Sequence, residues 1–333
     1  MKTDRRTFLR AAGSSLVLGI VGVPDATAQR QAAPPSFPDV PNPLEGDVEV
    51  IAEGYIWTEG PVWVGGEDGL LLFSDVTGNT IYGWDGKQTT AFRAPSGYQG
   101  FPIPDSLREA GSNGLALGRG GLLLADSGTR ALTRVDLSTR ERTVIVETYQ
   151  GKRFNSPNDM VLARNGDIYF TDPPYGLTGV RESPIREMSF TGVFRVTPDN
   201  QVHPITDKLS PNGIALSPDN RTLYVTDSTG WVAFDLGADG MPTGQRLFVA
   251  SEKVQGARGD GMKADSAGNI WTSGRGGIYV FSPQGEHIGF VPISGRVSNC
   301  AFGPGRYLYV TNDHQVVRGR IRTDFPGGSP IVY

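Results

Sequence analysis

One short unit recurs six times along the chain, and this repetition constrains the fold more than any other feature. Each unit has a polar residue ahead of a short apolar strand, then a turn, then a second β-rich strand. The polar residues are Glu59, Asn113, Asn158, Asn212, Asp260 and Asn299, at intervals of 39 to 54 residues. Four strands in about 40–50 residues is the size of a propeller blade. The repeats therefore predict an all-β fold, a six-bladed β-propeller.

The content of glycine, cysteine and histidine supports this fold class and excludes several kinds of site. The 333 residues include 45 Gly and 24 Pro, which suits many short strands joined by tight turns. A single Cys excludes an intramolecular disulfide and a cysteine-ligated zinc or iron–sulfur site. Three His without an H-E-x-x-H run make a histidine-ligated zinc site unexpected.

The charge balance restricts the class of partner. The chain has 31 Lys and Arg against 35 Asp and Glu, a formal net charge of −4, and no block of like charge. Nucleic acids and anionic membranes are bound through clustered Lys and Arg side chains. We therefore expect no nucleic acid or membrane partner, and a small molecule as the substrate.

The first 28 residues are predicted to be a secretory signal peptide. Arg5 and Arg6 precede a weakly apolar stretch over residues 11–23, and an A-x-A cleavage signal ends at Ala28. Twin arginines followed by Phe-Leu are typical of a twin-arginine signal, with a plain secretory signal or an amphipathic N-terminus as the alternative. The expected partner is the twin-arginine export machinery, and the expected location is periplasmic or secreted.

Two segments complete the predicted domain organisation. Residues 29–46, rich in Pro, Gln and Ala, are predicted to be an extended leader without a core of its own. Residues 47–333 are predicted to form the six-bladed propeller. A strand at 48–51 is expected to pair with residues 316–321 of the last repeat, which would close the ring and cover the sheet edges.

The recurring polar residues are expected to point towards the propeller axis and to form a metal site there. Converging carboxylate and amide oxygens suit a hard divalent cation such as calcium, magnesium or manganese. Glu59 and Asp260 supply two negative charges, and neutral Asn oxygens fill the shell without excess buried charge. The alternative is a turn role, because Asn or Asp before Gly is a turn signal, although Glu59 does not fit it.

Five runs occur in a fixed order along the chain. They are Glu-Gly-Pro-Val-Trp at 59–63, Arg-Phe-Asn-Ser-Pro-Asn-Asp at 153–159, Phe-Thr-Asp-Pro-Pro-Tyr-Gly at 170–176, Pro-Asn-Gly at 211–213 and Gly-Asp-Gly at 259–261. Together they resemble the gluconolactonase, senescence-marker-protein and luciferin-regenerating-enzyme-like family over residues 48–322. The resemblance implies a six-bladed propeller with one catalytic divalent metal on its axis, usually calcium or zinc.

The resemblance also implies roles for single residues. It places metal ligands at Glu59, Asn158, Asn212 and Asp260, in agreement with the charge argument, and marks Asp260 as a proton acceptor or activator of the nucleophile. Ca²⁺ is the expected ion, with Zn²⁺, Mg²⁺ and Mn²⁺ as alternatives. The expected activity is that of a metal-dependent hydrolase, a gluconolactonase-like sugar lactonase. The alternatives are an organophosphate or ester hydrolase on the same site, and a non-catalytic ligand-binding propeller with structural calcium.

The expected lactonase chemistry needs few groups. The metal polarises the lactone carbonyl and lowers the pKa of a bound water, while Asp260 accepts the water proton and returns it to the ring oxygen. No G-x-S-x-G run is present, so a serine nucleophile is not expected.

Four further polar residues have expected roles beside the ligands. Asn113 is expected to hydrogen-bond substrate hydroxyls or extend the metal shell, with a water-satisfied channel amide as the alternative. Arg153 is expected to bind a substrate carboxylate or hydroxyl, with a solvated arginine as the alternative. Strand alternation turns Asp159 away from the channel, and Asn299 is expected to act through water.

The longest insertions, residues 95–108 and 173–189, are candidate lids over one mouth of the channel. Their aromatic side chains, Tyr98, Phe101 and Tyr175, are expected to stack on a sugar ring or to pack within the lids.

Overall fold

The computed structural model describes residues 34–331, and within them the chain is almost entirely β-structure. The helical segments in this part of the chain are three short 3-10 turns at Val180–Glu182, Ser251–Val254 and Pro304–Arg306. No helix of the described residues is long and apolar enough to cross a membrane. The predicted signal peptide, residues 1–28, lies outside this range.

Within residues 34–331 the strands form four four-stranded sheets, one six-stranded sheet and one two-stranded ribbon. Strand β1 is Glu49–Glu53. The first four-stranded sheet holds β2 (Thr58–Val64), β3 (Leu70–Asp75), β4 (Thr80–Trp84) and β5 (Thr89–Arg93), and the second holds β6 (Ser112–Gly118), β7 (Gly121–Asp126), β8 (Ala131–Val135) and β9 (Arg142–Val146). The ribbon is β10 (Thr148–Tyr149) and β11 (Lys152–Arg153).

The remaining strands follow in chain order. The third four-stranded sheet holds β12 (Met160–Leu162), β13 (Ile168–Asp172), β14 (Gly192–Val196) and β15 (Val202–Thr206), and the fourth holds β16 (Ile214–Leu216), β17 (Thr222–Asp227), β18 (Gly230–Leu236) and β19 (Pro242–Ala250). The six-stranded sheet joins β1 to β20 (Met262–Ala264), β21 (Ile270–Phe281), β22 (His287–Gly303), β23 (Tyr307–Asn312) and β24 (Gln315–Arg320).

Successive sheets of consecutive antiparallel strands give the chain a β-propeller arrangement. The prediction of six separate four-stranded blades is wrong, since the described residues form five sheets of four or more strands. The reason is β22, which continues without a break and pairs with β21 up to Arg296 and with β23 from Val297. The fifth and sixth repeats are therefore joined in one six-stranded sheet.

The outermost strand is the least buried one in each four-stranded sheet. Every residue of β7 is buried, whereas Thr143 and Val144 of the outer strand β9 are exposed. Leu123 packs in one apolar cluster with Phe170, and Leu124 packs in another with Leu72. Neighbouring sheets thus cover both faces of a central strand such as β7. This explains why such strands are continuous apolar runs rather than alternating ones.

Strand β1 pairs with β24, which confirms the expected closure of the ring. Val50 lies opposite Val317 and Ala52 lies opposite Val316 in this antiparallel pair. Strand β1 therefore forms the outer edge of a sheet whose other strands all come from the last two repeats.

The described part of the predicted leader, residues 34–46, packs on the same six-stranded sheet. The Phe37 ring lies edge-on to His287 and Phe290, with centroids 4.7 and 5.0 Å away. Leu44 is buried and forms a β-bridge with Ile321. These contacts extend the apolar core of that sheet to residues ahead of β1.

Candidate active site

A cavity of about 510 Å³ lies where the inner strands begin. Five of the residues predicted from the repeats line it: Glu59, Asn113, Asn158, Asn212 and Asp260. The first two lie within β2 and β6, and the other three lie just ahead of β12, β16 and β20. One position of the repeat therefore brings its side chains to one place, although these residues lie up to about 200 positions apart in the sequence.

Glycine follows the polar residue in four of the six repeats, and its role is close approach between inner strands. The N–H of Gly213 donates to the carbonyl of Asp260 at 3.0 Å, and a Cβ there would lie 2.1 Å from that oxygen. The N–H of Gly114 donates to the carbonyl of Asn158 at 2.7 Å. These glycines join neighbouring repeats, so the turn interpretation of Asn-Gly does not describe them.

Glu59 is buried in the cavity and Asp260 is half-buried there, and loss of solvent around each carboxyl group is the main reason that its pKa is raised. Repulsion from Asp260 and then Asp159 raises the pKa of Glu59 further. Repulsion from Asp159 and Glu109 does the same for Asp260. The described residues thus compensate the negative charge of this pair incompletely, and a bound cation would stabilise the ionised forms.

The amide oxygens of Asn113 and Asn212 are buried and have no hydrogen-bond partner among the described residues. A buried oxygen left without a partner costs about 1–3 kcal/mol. The Asn212 side chain hydrogen-bonds the Asp260 carboxylate, a contact for which only its NH₂ group can serve as donor. Two carboxylates with unpaired amide oxygens fit a hard, oxygen-ligated cation.

Within residues 34–331, no group of three or more His, Cys, Asp or Glu side chains is placed to hold a metal ion. The candidate set contains two carboxylates, Glu59 and Asp260, and its remaining donors are Asn amides. The donor set therefore does not fit a soft metal.

Asn299, the sixth polar residue of the repeats, connects two acidic side chains. Its amide nitrogen donates to Glu59 Oε2 and to Asp159 Oδ2, both at 3.3 Å. The expectation that Asp159 turns away from the channel is therefore wrong. Asp159 lies ahead of β12, which begins at Met160, so the alternation of a regular strand does not apply to it.

Two residues of the cavity wall, Arg108 and Tyr175, come from the two predicted lid loops, and a third, Glu109, directly follows the first loop. The N–H groups of Arg108 and Glu109 donate to the carbonyl of Gly176 at 2.9 and 3.1 Å, which ties the loops together beside Tyr175. Glu109 accepts from the Arg108 guanidinium at 2.9 Å, while its Oε2 is buried without a partner among the described residues. Loop length and aromatic content marked these segments in the sequence, but not the individual charged residues.

Two further residues of the cavity wall, Trp57 and Arg296, are not predicted by the repeats. The Arg296 guanidinium lies 4.3 Å from the ring centroid of Trp57, and both residues line the cavity. A cation over an indole face is a stabilising contact. Arg296 lies in the middle of β22, away from the recurring position.

The structure does not bring Arg153 to this cavity. Its guanidinium donates to the carbonyl of Thr129 and lies 3.5 Å from the Glu147 carboxylate, and its N–H donates to Glu187 at 2.8 Å. Of the lid aromatics, Tyr175 lines the cavity, while Phe101 is 97% exposed. Arg108 and Arg296 are instead the guanidinium groups at the site.

The family described as the SMP-30/Gluconolactonase/LRE-like region matches residues 57–314. A gluconolactonase of Zymomonas mobilis is 46% identical over 295 residues, covering 83% of this chain and 82% of the relative. A regucalcin of Xenopus laevis is 29% identical over 284 residues, covering 79% and 85%.

The solved structure of a gluconolactonase from Xanthomonas campestris superimposes with a TM-score of 0.71 at 30% identity, covering 86% of this chain and 98% of that one. Its similarity extends to the whole propeller and not to single motifs. The segment that matches the family, residues 57–314, begins close to the first repeat and ends close to the last one. The chain therefore belongs to the SMP-30/gluconolactonase/LRE-like family.

Proposed function

We propose that the chain is a sugar lactonase that opens an aldonolactone with the help of one divalent cation. The observation that carries the proposal is one cavity that holds two carboxylates and two buried, unpaired amide oxygens, in a chain 46% identical to a gluconolactonase. Such a cavity, within the range of about 300–1,000 Å³ for small-molecule sites, suits a substrate of this size.

Four residues would hold the cation: Glu59, Asn158, Asn212 and Asp260. When bound, the cation supplies polarisation of the lactone carbonyl and a more acidic water. We favour Ca²⁺ over Mg²⁺, Mn²⁺ and Zn²⁺, because amide and carboxylate oxygens in a flexible shell are the ligands it takes most readily.

Asp260 is proposed to carry the proton during the reaction. Its carboxylate accepts a proton from the attacking water as the water oxygen bonds to the carbonyl carbon. When the bond to the ring oxygen breaks, Asp260 returns the proton to that oxygen, which leaves a hydroxy acid. Burial raises the pKa of this carboxyl group in the cation-free site, and a bound cation would keep the group ionised and able to accept the proton.

The cavity wall is proposed to bind the hydroxyl groups of the substrate. Arg108 and Arg296 present guanidinium donors, Asn113 presents an amide, and Tyr175 presents a phenol beside them. Several donors around one cavity favour a polyhydroxylated ring over an aliphatic lactone, since each substrate oxygen can then be paired on leaving water.

The export of the protein is a separate proposal. The twin arginines, the apolar stretch and the A-x-A signal of residues 1–28 support export by the twin-arginine machinery to the periplasm or beyond. Because this route carries proteins that are already folded, it is compatible with loading of the cation before export.

The proposal is tested by following acid release from a panel of aldonolactones, aliphatic lactones, aryl esters and phosphotriesters with a pH indicator. We expect turnover of aldonolactones well above the spontaneous rate, its loss on chelation, and its recovery with added Ca²⁺ or another divalent ion. Faster turnover of phosphotriesters or esters would favour the alternative hydrolase on the same site. Metal-loaded protein without activity on the whole panel would leave a ligand-binding propeller and refute the enzymatic proposal.

Replacing Arg108 with methionine is expected to raise KM for the aldonolactone by about 3- to 10-fold with little change in kcat, because a hydroxyl contact on the cavity wall serves ground state and transition state alike. Steady-state kinetics measure both constants. Arg322→Met removes an arginine that pairs with Asp324 away from the cavity and should leave both constants unchanged. A fall in kcat without a change in KM would contradict this role for Arg108.

A further inference from the structure

The half-buried ammonium of Lys263 lies beside Asp159 and Asn299, next to the carboxylates of the candidate site. The Nζ of Lys263 lies 3.9 Å from Asp159 Oδ2 and donates to Asn299 Oδ1 at 3.1 Å and to the carbonyl of Met262 at 3.0 Å. The side chain of Asp159 is 2% exposed and that of Lys263 is 26% exposed. Lys263 therefore directs its charge inwards to the axis.

The other side of Lys263 faces an apolar cavity of about 260 Å³, formed where the same inner strands end. Its wall consists of aliphatic and aromatic residues apart from Lys263, for example Val62, Leu115 and Ile214. Among residues 34–331, no carboxylate lines that cavity. The acidic partner of Lys263 in the described residues is thus Asp159, on the side of the polar cavity.

Asn299 transmits this arrangement to Glu59. The Lys263 ammonium and the N–H of Cys300 both donate to Asn299 Oδ1, at 3.1 and 2.9 Å. With its oxygen held on that side, the amide nitrogen of Asn299 is directed to Glu59 Oε2 and Asp159 Oδ2. The orientation of the Glu59 carboxylate therefore depends, through Asn299, on Lys263, which does not line the polar cavity.

The charges on the axis follow from these contacts. Glu59, Asp159 and Asp260 are three neighbouring carboxylates, and Lys263 is the ammonium beside Asp159. On the cavity wall, Arg296 acts on Asp260 against the repulsion from Glu109, which is itself paired with Arg108. Loss of Lys263 would leave the charge of Asp159 to add to that of Glu59 and Asp260, which favours an ion of higher charge. Buried charges that lack compensation are strongly destabilising, so this balance affects both the folded chain and the ion that it takes.

We propose that Lys263 is a built-in cation that sets the charge of the site for a divalent ion and positions Glu59 through Asn299. This inference rests on the cation site of the proposed function. It assigns Lys263 as a positioning residue and a determinant of ion selectivity.

The test compares binding of Ca²⁺ and Tb³⁺ by calorimetry to the full chain and to Lys263→Met, Lys263→Arg and the double variant Asp159→Asn/Lys263→Met. We expect Lys263→Met to favour Tb³⁺ over Ca²⁺ by about 10-fold or more relative to the unmodified chain, because the site then carries one further uncompensated charge. Lys263→Arg and the double variant restore the balance and should return the ratio to within about 3-fold.

The outcomes separate this inference from the proposed function. An unchanged Tb³⁺ to Ca²⁺ ratio in Lys263→Met overturns the role of Lys263, and so does a double variant that keeps the altered ratio. Failure of the unmodified chain to bind either ion overturns the cation site itself. If Lys263→Met does not fold, the other two variants still decide. The inference requires Lys263→Arg to bind Ca²⁺ as the unmodified chain does, and it requires the double variant, which lacks the contact with Asn299, to fold with an unchanged Tb³⁺ to Ca²⁺ ratio.

Discussion

Replacing Asp260 with asparagine is expected to lower kcat/KM for an aldonolactone by about 100- to 10,000-fold, the usual contribution of a positioned general acid–base group. The substitution keeps the size of the side chain and removes the group that accepts and returns the proton. It also removes one of the two carboxylates of the cation site, so cation affinity falls as well. Kinetics at saturating cation, with binding measured separately, distinguish the two effects.

The same variant should not lose stability in the absence of a cation. Asp260 is half-buried near Glu59 and Asp159, and a neutral asparagine removes its share of the repulsion among these carboxylates. We therefore expect the cation-free Asp260→Asn protein to melt at the same temperature as the unmodified chain or higher. Asp199→Asn, at an exposed turn, is the matched control and should retain full activity. Near-normal turnover by the folded Asp260→Asn protein would exclude Asp260 from the proton transfer.

Replacing Gly213 with alanine is expected to destabilise the fold by about 3 kcal/mol or more, at the upper end of overpacking effects. The added Cβ would lie 2.1 Å from the carbonyl oxygen of Asp260 and 2.7 Å from the Cα of Gly261. Both atoms belong to the backbone just ahead of β20, so no side-chain rotation relieves the contact. For a domain of about 300 residues, a midpoint lower by about 5 °C or more is expected in thermal unfolding.

The Gly213→Ala substitution should also disturb the candidate cation site, because the carbonyl that the new Cβ displaces belongs to Asp260 itself. We expect weaker cation binding and lower turnover in any Gly213→Ala protein that remains folded. Gly66→Ala is the matched control, since a Cβ there has no atom within 4 Å. Equal melting temperatures for the two variants would contradict close packing of the inner strands at Gly213.

The repeats are sufficient to predict the β-propeller and the convergence of five polar residues, because a recurring position in a closed ring returns to the same place. They do not predict how the sheets are divided. Whether β22 ends or continues between two repeats depends on hydrogen bonds around Gly295 and Arg296 to neighbouring strands, and local sequence does not specify these.

The wall of the cavity was predictable only in part for a different reason. Arg153 belongs to a recognisable motif, yet its side chain is taken by Thr129 and Glu147. Arg108 and Glu109 reach the cavity because their backbone is bonded to another loop some 70 residues later. Contacts between loops have no periodicity, so the sequence gives no position for them.

The pairing of β1 with β24 has a consequence for how the protein is made. Arg318 of β24 donates to Glu49 of β1, a partner 269 positions away in the chain. During synthesis β1 leaves the ribosome early and has no partner until almost the whole propeller has followed it. Such distant pairing slows folding, and an unpaired strand edge is open to aggregation in the meantime. The nascent chain is therefore most in need of a chaperone just before its last strand emerges.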